Sequence, residues 1–248
     1  QALEKLEEAA PKYPDINYLK AILYYNSDDY RQAVEYFSIA LRGFLTKSQL
    51  EEALEKKATS HEYLGEYGKS IECHNEYQKV IMNSSRSELE KLDLGSEAES
   101  TIAYCLSCCG EYEKAEKIVR DVLEVSPDNL MALLVRAKLL NHARQYSEAI
   151  EVSDRIIEAD SEYSYAYHAK AVGLFGLGKY EESVKYFFKS FESQDINPSR
   201  LKRYKEAFEC LGVIHDQTEG VVREQAKGAE IMIKRRIDHY LKKNITNE

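Results

Sequence analysis

Cys105-Leu106-Ser107-Cys108-Cys109 contains a CxxC, residue types that could do redox or metal chemistry. On a helix this spacing puts Cys105 and Cys108 on neighbouring faces, where paired thiolates can exchange disulfides or hold zinc. Structural zinc takes four ligands, however, and no second CxxC or histidine pair completes the set. Cys105 therefore reads as a buried structural cysteine. The six histidines, His61, His74, His142, His168, His215 and His239, show no metal-binding spacing. Gly176-Leu177-Gly178-Lys179 resembles a phosphate cradle, but it ends a helix instead of opening one after a strand. Carboxylates abound without two being set together in a cleft, and no nucleophile elbow is present. We therefore assign no catalytic residue, metal or cofactor, and expect a non-enzyme.

Composition bounds the rest. Hydrophobic residues make up 44% and charged ones 31%, with only 4 Pro and 11 Gly in 248 residues, which suits an ordered helical chain. No apolar run reaches the roughly 18 residues needed to cross a bilayer, and QALEKLEEAA lacks the build of a signal peptide, so no membrane association is expected. Five irregularly spaced cysteines fit a reducing compartment, which points to a cytoplasmic or nuclear location. The chain begins without Met inside what reads as a helix, and we expect it to be a fragment of a longer protein. Its net charge of -9 divides into about -12 before Pro198 and +3 from there on. An acidic body disfavours nucleic acid, whose phosphates require a basic face.

The elements that would position any site come from an internal repeat. Five segments align on a tyrosine, at Tyr30, Tyr67, Tyr112, Tyr146 and Tyr180, with spacings of 37, 45, 34 and 34 residues. Nine residues before each lies Ala21, Ala58, Ala103, Ala137 or Ala171; three residues after lies Ala33, Ser70, Ala115, Ala149 or Ser183. Small residues at such places let antiparallel helices approach closely. Bulky side chains alternate with them at Tyr24, Leu106, Leu140 and Leu174, and at Phe37, Val119 and Phe187. Gly65, Gly110 and Gly178 precede their tyrosines by two residues, where a turn needs unusual backbone angles; Asp28 and Arg144 stand there in the other two.

This pattern resembles the tetratricopeptide repeat superfamily over about four fifths of the chain. The family's common tryptophan is absent, and Asn17, Leu54, Glu99, Leu133 and Tyr167 occupy its places. The resemblance implies an all-α fold, a right-handed superhelical solenoid of antiparallel helix pairs with a C-terminal capping helix. Repeats fall at 14–47, 51–84, 96–129, 130–163 and 164–197, and residues 1–13 form the second helix of a truncated preceding repeat. The polar stretch Ser84 to Gly95 reads as a helix extension plus loop. After Pro198, helices are expected at about 199–212 and 218–243, the last an end cap with Val222, Ala226, Ala229, Ile233, Ile237, Tyr240 and Leu241 on one side.

Function is less specific than fold. The resemblance implies a non-catalytic protein-protein interaction scaffold or adaptor whose concave face, lined by first helices, holds a partner segment. Its pattern puts Asp15, Tyr18, Ile22 and Tyr25 in that groove from repeat one. Repeat two gives Glu52, Glu55 and Glu62, and repeat three gives Glu97 and Tyr104. Repeat four contributes Leu134, Lys138 and Asn141, and repeat five Tyr165, His168 and Phe175. A partner protein or peptide matching this groove carries basic residues toward repeats two and three and apolar ones toward repeats four and five.

The chaperone C-terminal carboxylate tail that one subfamily grips is not expected, because among the corresponding positions only Lys56 is basic while Glu55 and Glu97 would repel it. Binding through the convex face or edges is the competing arrangement. The alternative function is the regulatory or substrate-recruiting part of a larger enzyme. Homo-oligomers through end repeats are also compatible with the family, and the basic Lys234, Arg235, Arg236, Lys242 and Lys243 could meet an acidic groove.

Overall fold

The computed structural model describes residues 16–191 and 198–245, with side chains described over 16–191 and 203–241. The helix expected over 1–13, Asp15, and the side chains of Lys242 and Lys243 lie outside these described residues. Among them are twelve helices and no strand. They are α1 Ile16–Asn26, α2 Tyr30–Ala40, α3 Lys47–Tyr63, α4 Tyr67–Met82, α5 Glu88–Cys109, α6 Tyr112–Val125, α7 Leu130–His142, α8 Tyr146–Ala159, α9 Ser164–Gly176, α10 Tyr180–Phe191, α11 Pro198–Gln217 and α12 Gly220–Ile245. The chain divides into two compact units, residues 1–118 and 119–248.

In the first unit, α1 packs on α2, α2 on α3, α3 on α4 and α4 on α5, and α1 also reaches α3. In the second, α7 pairs with α8, α9 with α10 and α11 with α12, while α7 lies beside α9 and α9 beside α11. The small residues explain these approaches. All ten, from Ala21 and Ala33 to Ala171 and Ser183, are fully buried. A hydroxyl so buried must find an acceptor, and Ser183 Oγ donates to the Ala171 carbonyl across the hairpin at 2.8 Å.

Each turn between paired helices passes through one left-handed residue. Gly65, Gly110 and Gly178 take φ of 73°, 84° and 72°, and Asp28 and Arg144 adopt the same conformation at 60° and 61°. Asp tolerates this region because its short polar side chain bonds locally, whereas Arg144 holds it at a cost of about 1–2 kcal/mol.

The stretch after Ser84 is more helical than its polarity suggests. The loop is short, and α5 begins at Glu88, because Ser87 and Glu90 form a reciprocal capping box. Arg86 secures this loop through two hydrogen bonds to the Glu51 carboxylate, at 2.7 and 2.6 Å. The tail forms a further hairpin: Phe187, Phe191, Tyr204, Leu211 and Ile233 share one core spanning α10 to α12. Burying each such side chain contributes about 1.5–3 kcal/mol. Arg236 turns inward, donating to the Phe191 carbonyl at 2.6 Å and to the Tyr204 hydroxyl at 3.1 Å, so it anchors α12 at the end of α10. Lys234 and Arg235 are exposed. No helix among the described residues is long and apolar enough to cross a membrane.

Candidate protein-binding site

In the first unit, Tyr18 of α1 is buried, and its hydroxyl donates to the Glu52 carboxylate on α3. Burial and that carboxylate push the phenol up to about 12, so it stays protonated at any physiological pH. Ile22 packs against the core beside it. One turn along α3, Lys56 lies 3.7 Å from Glu52 and sits over the Tyr25 ring, 4.7 Å from its centroid. Tyr25 is hydrogen-bonded to Thr59, and burial, followed by Tyr63, Glu55 and Glu62, pushes its phenol up to about 12.

Glu55 acts on two tyrosines. It raises Tyr25, and it also raises the buried Tyr77 of α4, where burial is the largest cause and Glu51 and Glu97 add to it. Glu55 and Glu97 are exposed, and no ion pair engages either among the described residues. The face therefore joins partly buried tyrosines to exposed carboxylates.

Glu62 and Tyr104 do different work from the open groove role read in the sequence. Glu62 turns inward, with Ser70 Oγ 3.2 Å and His74 Nε2 3.1 Å from its Oε1. This pairing lets His74 occupy a buried position where apolar residues are usual. His61 is likewise buried 2.7 Å from Glu66, and burial holds its imidazole below the usual range. Tyr104 is buried, its ring edge-on to Tyr67 at 6.4 Å. Cys105 lies 3.6 Å from Ser70 Oγ, and burial pushes its thiol well above the usual range. A thiol so held is a poor nucleophile. No group of three His, Cys, Asp or Glu residues suited to a metal ion occurs among the described residues.

In the second unit Leu134 is fully buried in the helix packing, while Lys138 and Asn141 are half-buried. Asn141 Nδ2 donates to the Ala169 carbonyl on α9 at 2.8 Å. His168 is buried against the Phe187 and Phe191 rings, with Nε2 3.0 Å from Glu206. Burial holds its imidazole down, against the pull of Glu206. The Arg203 guanidinium lies over Tyr165 at 4.0 Å, and Phe175 packs with Tyr180 at 5.9 Å.

Arg203 and Glu206 were not anticipated. The available signal was their spacing of one helical turn on the helix that follows repeat five. The structure thus gathers Tyr18 with Glu52, and Tyr25 with Glu55 and Glu62, in one unit, and Tyr165 and His168 with two residues of α11 in the other. Glu97 stands near Tyr77.

Residues 110–164 match the family model described as tetratricopeptide repeat. The apo form of RapI matches with a TM-score of 0.61 at 13% identity, over 96% of this chain and 80% of that one. TTC0263, a thermophilic tetratricopeptide-repeat protein of Thermus thermophilus, matches with a TM-score of 0.52 at 18% identity, over 80% of this chain and 99% of that one. At such identities the likeness concerns fold alone. No curated protein matches the chain by sequence. Residues 110–164 thus carry the tetratricopeptide repeat, and each unit is built of all-α helix pairs whose fold is that of tetratricopeptide-repeat proteins. Proteins built on this repeat are in general protein-interaction scaffolds, and the fold is typically non-catalytic.

Proposed function

We propose that this chain is a protein-interaction module, and that it holds a partner segment against the tyrosine and carboxylate face of its first unit, with the repeat limits as read from the sequence. The observation that carries this reading is Glu55, an exposed carboxylate acting on both Tyr25 and Tyr77 with no basic side chain paired to it among the described residues. The segment brings basic side chains to Glu55 and Glu97 and lays apolar groups against the rings. Tyrosine suits such a surface, offering wide apolar contact and a polar tip at little entropic cost. Each ion pair adds little while exposed and more once the partner covers it. Lys138, Asn141 and Tyr165 form a separate candidate patch in the second unit.

The test is affinity capture from cell extract with the wild-type chain and a Glu55→Lys, Glu97→Lys variant. Both positions are exposed, with no ion pair among the described residues, so the variant keeps its fold, checked by an unchanged helical circular dichroism spectrum. A partner whose basic segment binds the wild type and is lost from the folded variant supports this face. An identical set of partners on both proteins refutes it.

A further inference from the structure

Tyr25, Tyr30 and Tyr63 meet where α1, α2 and α3 come together. Tyr30 stacks on Tyr63 with ring centroids 4.4 Å apart, and Tyr25 stands edge-on to Tyr30 at 5.9 Å. Asp28, exposed in the left-handed turn before α2, accepts a hydrogen bond from the Tyr30 hydroxyl at 2.5 Å. Of the five residues that fill this turn position, it alone is a carboxylate. Glu55 and Glu62 add negative field at Tyr25.

The negative face of an aromatic ring attracts a cation, most strongly where other groups exclude water. The chain does this repeatedly with its own side chains. Lys20 lies over Tyr36 at 5.2 Å, beside the stacked Tyr24, and Lys170 lies over Tyr186 at 4.2 Å, beside the stacked Tyr167. Lys56 serves Tyr25. Tyr30 differs: among the described residues no lysine or arginine lies over its ring, and its polar partner Asp28 is a carboxylate that forms no ion pair with any of them.

We infer that the Tyr30 and Asp28 corner of this cluster receives an arginine side chain of the bound segment, its guanidinium against the tyrosine ring and its donors on the Asp28 carboxylate. The inference rests on the reading that this unit binds a partner segment. Arginine fits better than lysine because a planar guanidinium can lie flat on a ring while its forked donors reach a carboxylate beside it. Arg203 places a guanidinium over a tyrosine ring within the same chain, 4.0 Å from Tyr165 and 5.6 Å from Phe191, with Nη1 donating to a hydroxyl, Ser164 Oγ, at 3.4 Å.

The experiment titrates tri-arginine amide, tri-lysine amide and tri-citrulline amide into the full chain while following the tyrosine ring resonances by NMR. Tri-arginine is expected to shift Tyr30 saturably, more tightly than tri-lysine, while tri-citrulline leaves it in place. Asp28→Asn, which keeps a residue tolerant of the turn, weakens tri-arginine binding about threefold, and Tyr30→Leu weakens it about tenfold. A stationary Tyr30 signal, an equal shift from tri-citrulline, or unchanged affinity in Asp28→Asn overturns the inference. Tri-arginine shifting Tyr77 alone also overturns it while leaving the acidic face as the binding surface; movement of neither ring counts against both readings.

Discussion

Tyr18 on α1 donates its hydroxyl to Glu52 on α3, 34 residues further along the chain. Repeats one and two are 37 residues apart, so the counterpart of Tyr18 is Glu55; the bond reaches Glu52, about one turn earlier on α3, and ties the two first helices together beside Tyr25.

Removing that hydroxyl tests its contribution. Tyr18→Phe keeps the buried ring and deletes the donor, and the half-buried Glu52 carboxylate can recover water. We expect a loss of about 1–2 kcal/mol in urea unfolding, typical of a bond to a charged group. A double-mutant cycle with Glu52→Gln should show coupling between the two positions.

The Glu51 and Arg86 pair gives stability a pH signature. Hydrogen bonding from Arg86 holds the Glu51 carboxyl below the usual carboxylate range, outweighing the opposite effect of burial. Because the folded pKa lies below the unfolded one, the contribution is present above the unfolded carboxylate range and is lost as pH falls through the folded value. Thermal unfolding should therefore find wild type more stable than Glu51→Gln near neutrality, with the two curves converging on acidification. Parallel curves at all pH values would contradict this account of how the loop before α5 is held.

Gly173 marks a close approach within the second unit. A Cβ there would stand 2.9 Å from Ile150 Cγ1, 3.2 Å from Asn141 Oδ1 and 3.3 Å from the Tyr146 carbonyl. Alanine normally favours a helix over glycine by about 1 kcal/mol. Here overpacking should win, and Gly173→Ala is expected to destabilise the chain by about 1–3 kcal/mol in chemical denaturation. Gly212, with nothing near its Cβ position, is the matched control and should gain stability on the same substitution.

The helix hairpins were readable because close helix approach demands small residues at fixed places, and all ten such positions proved fully buried. The left-handed turns followed from the same period, even where Asp28 and Arg144 replace glycine. The helical start at Glu88 was harder to see, since Ser87 and Glu90 are ordinary polar residues until they cap each other, and Arg86 finds Glu51 only in the folded chain.

The candidate site was less readable for a similar reason. Helical spacing gives Glu62 a groove position, but His74 on the neighbouring helix needs a partner and draws its carboxylate inward. His168 finds Glu206 on α11, beyond the last residue the repeat period reaches. Periodicity orients a helix; the polar needs of adjacent helices decide which side chains remain open to a ligand.

The most direct measurement is amide hydrogen exchange of the full chain with and without a captured partner. Binding at the tyrosine and carboxylate face should slow exchange along α3 and α5, centred on Glu55 and Glu97, with the tyrosine corner at the α1 to α2 turn included. Protection confined to α11 and α12, with α3 and α5 unchanged, would contradict the account and move the interface to the C-terminal hairpin.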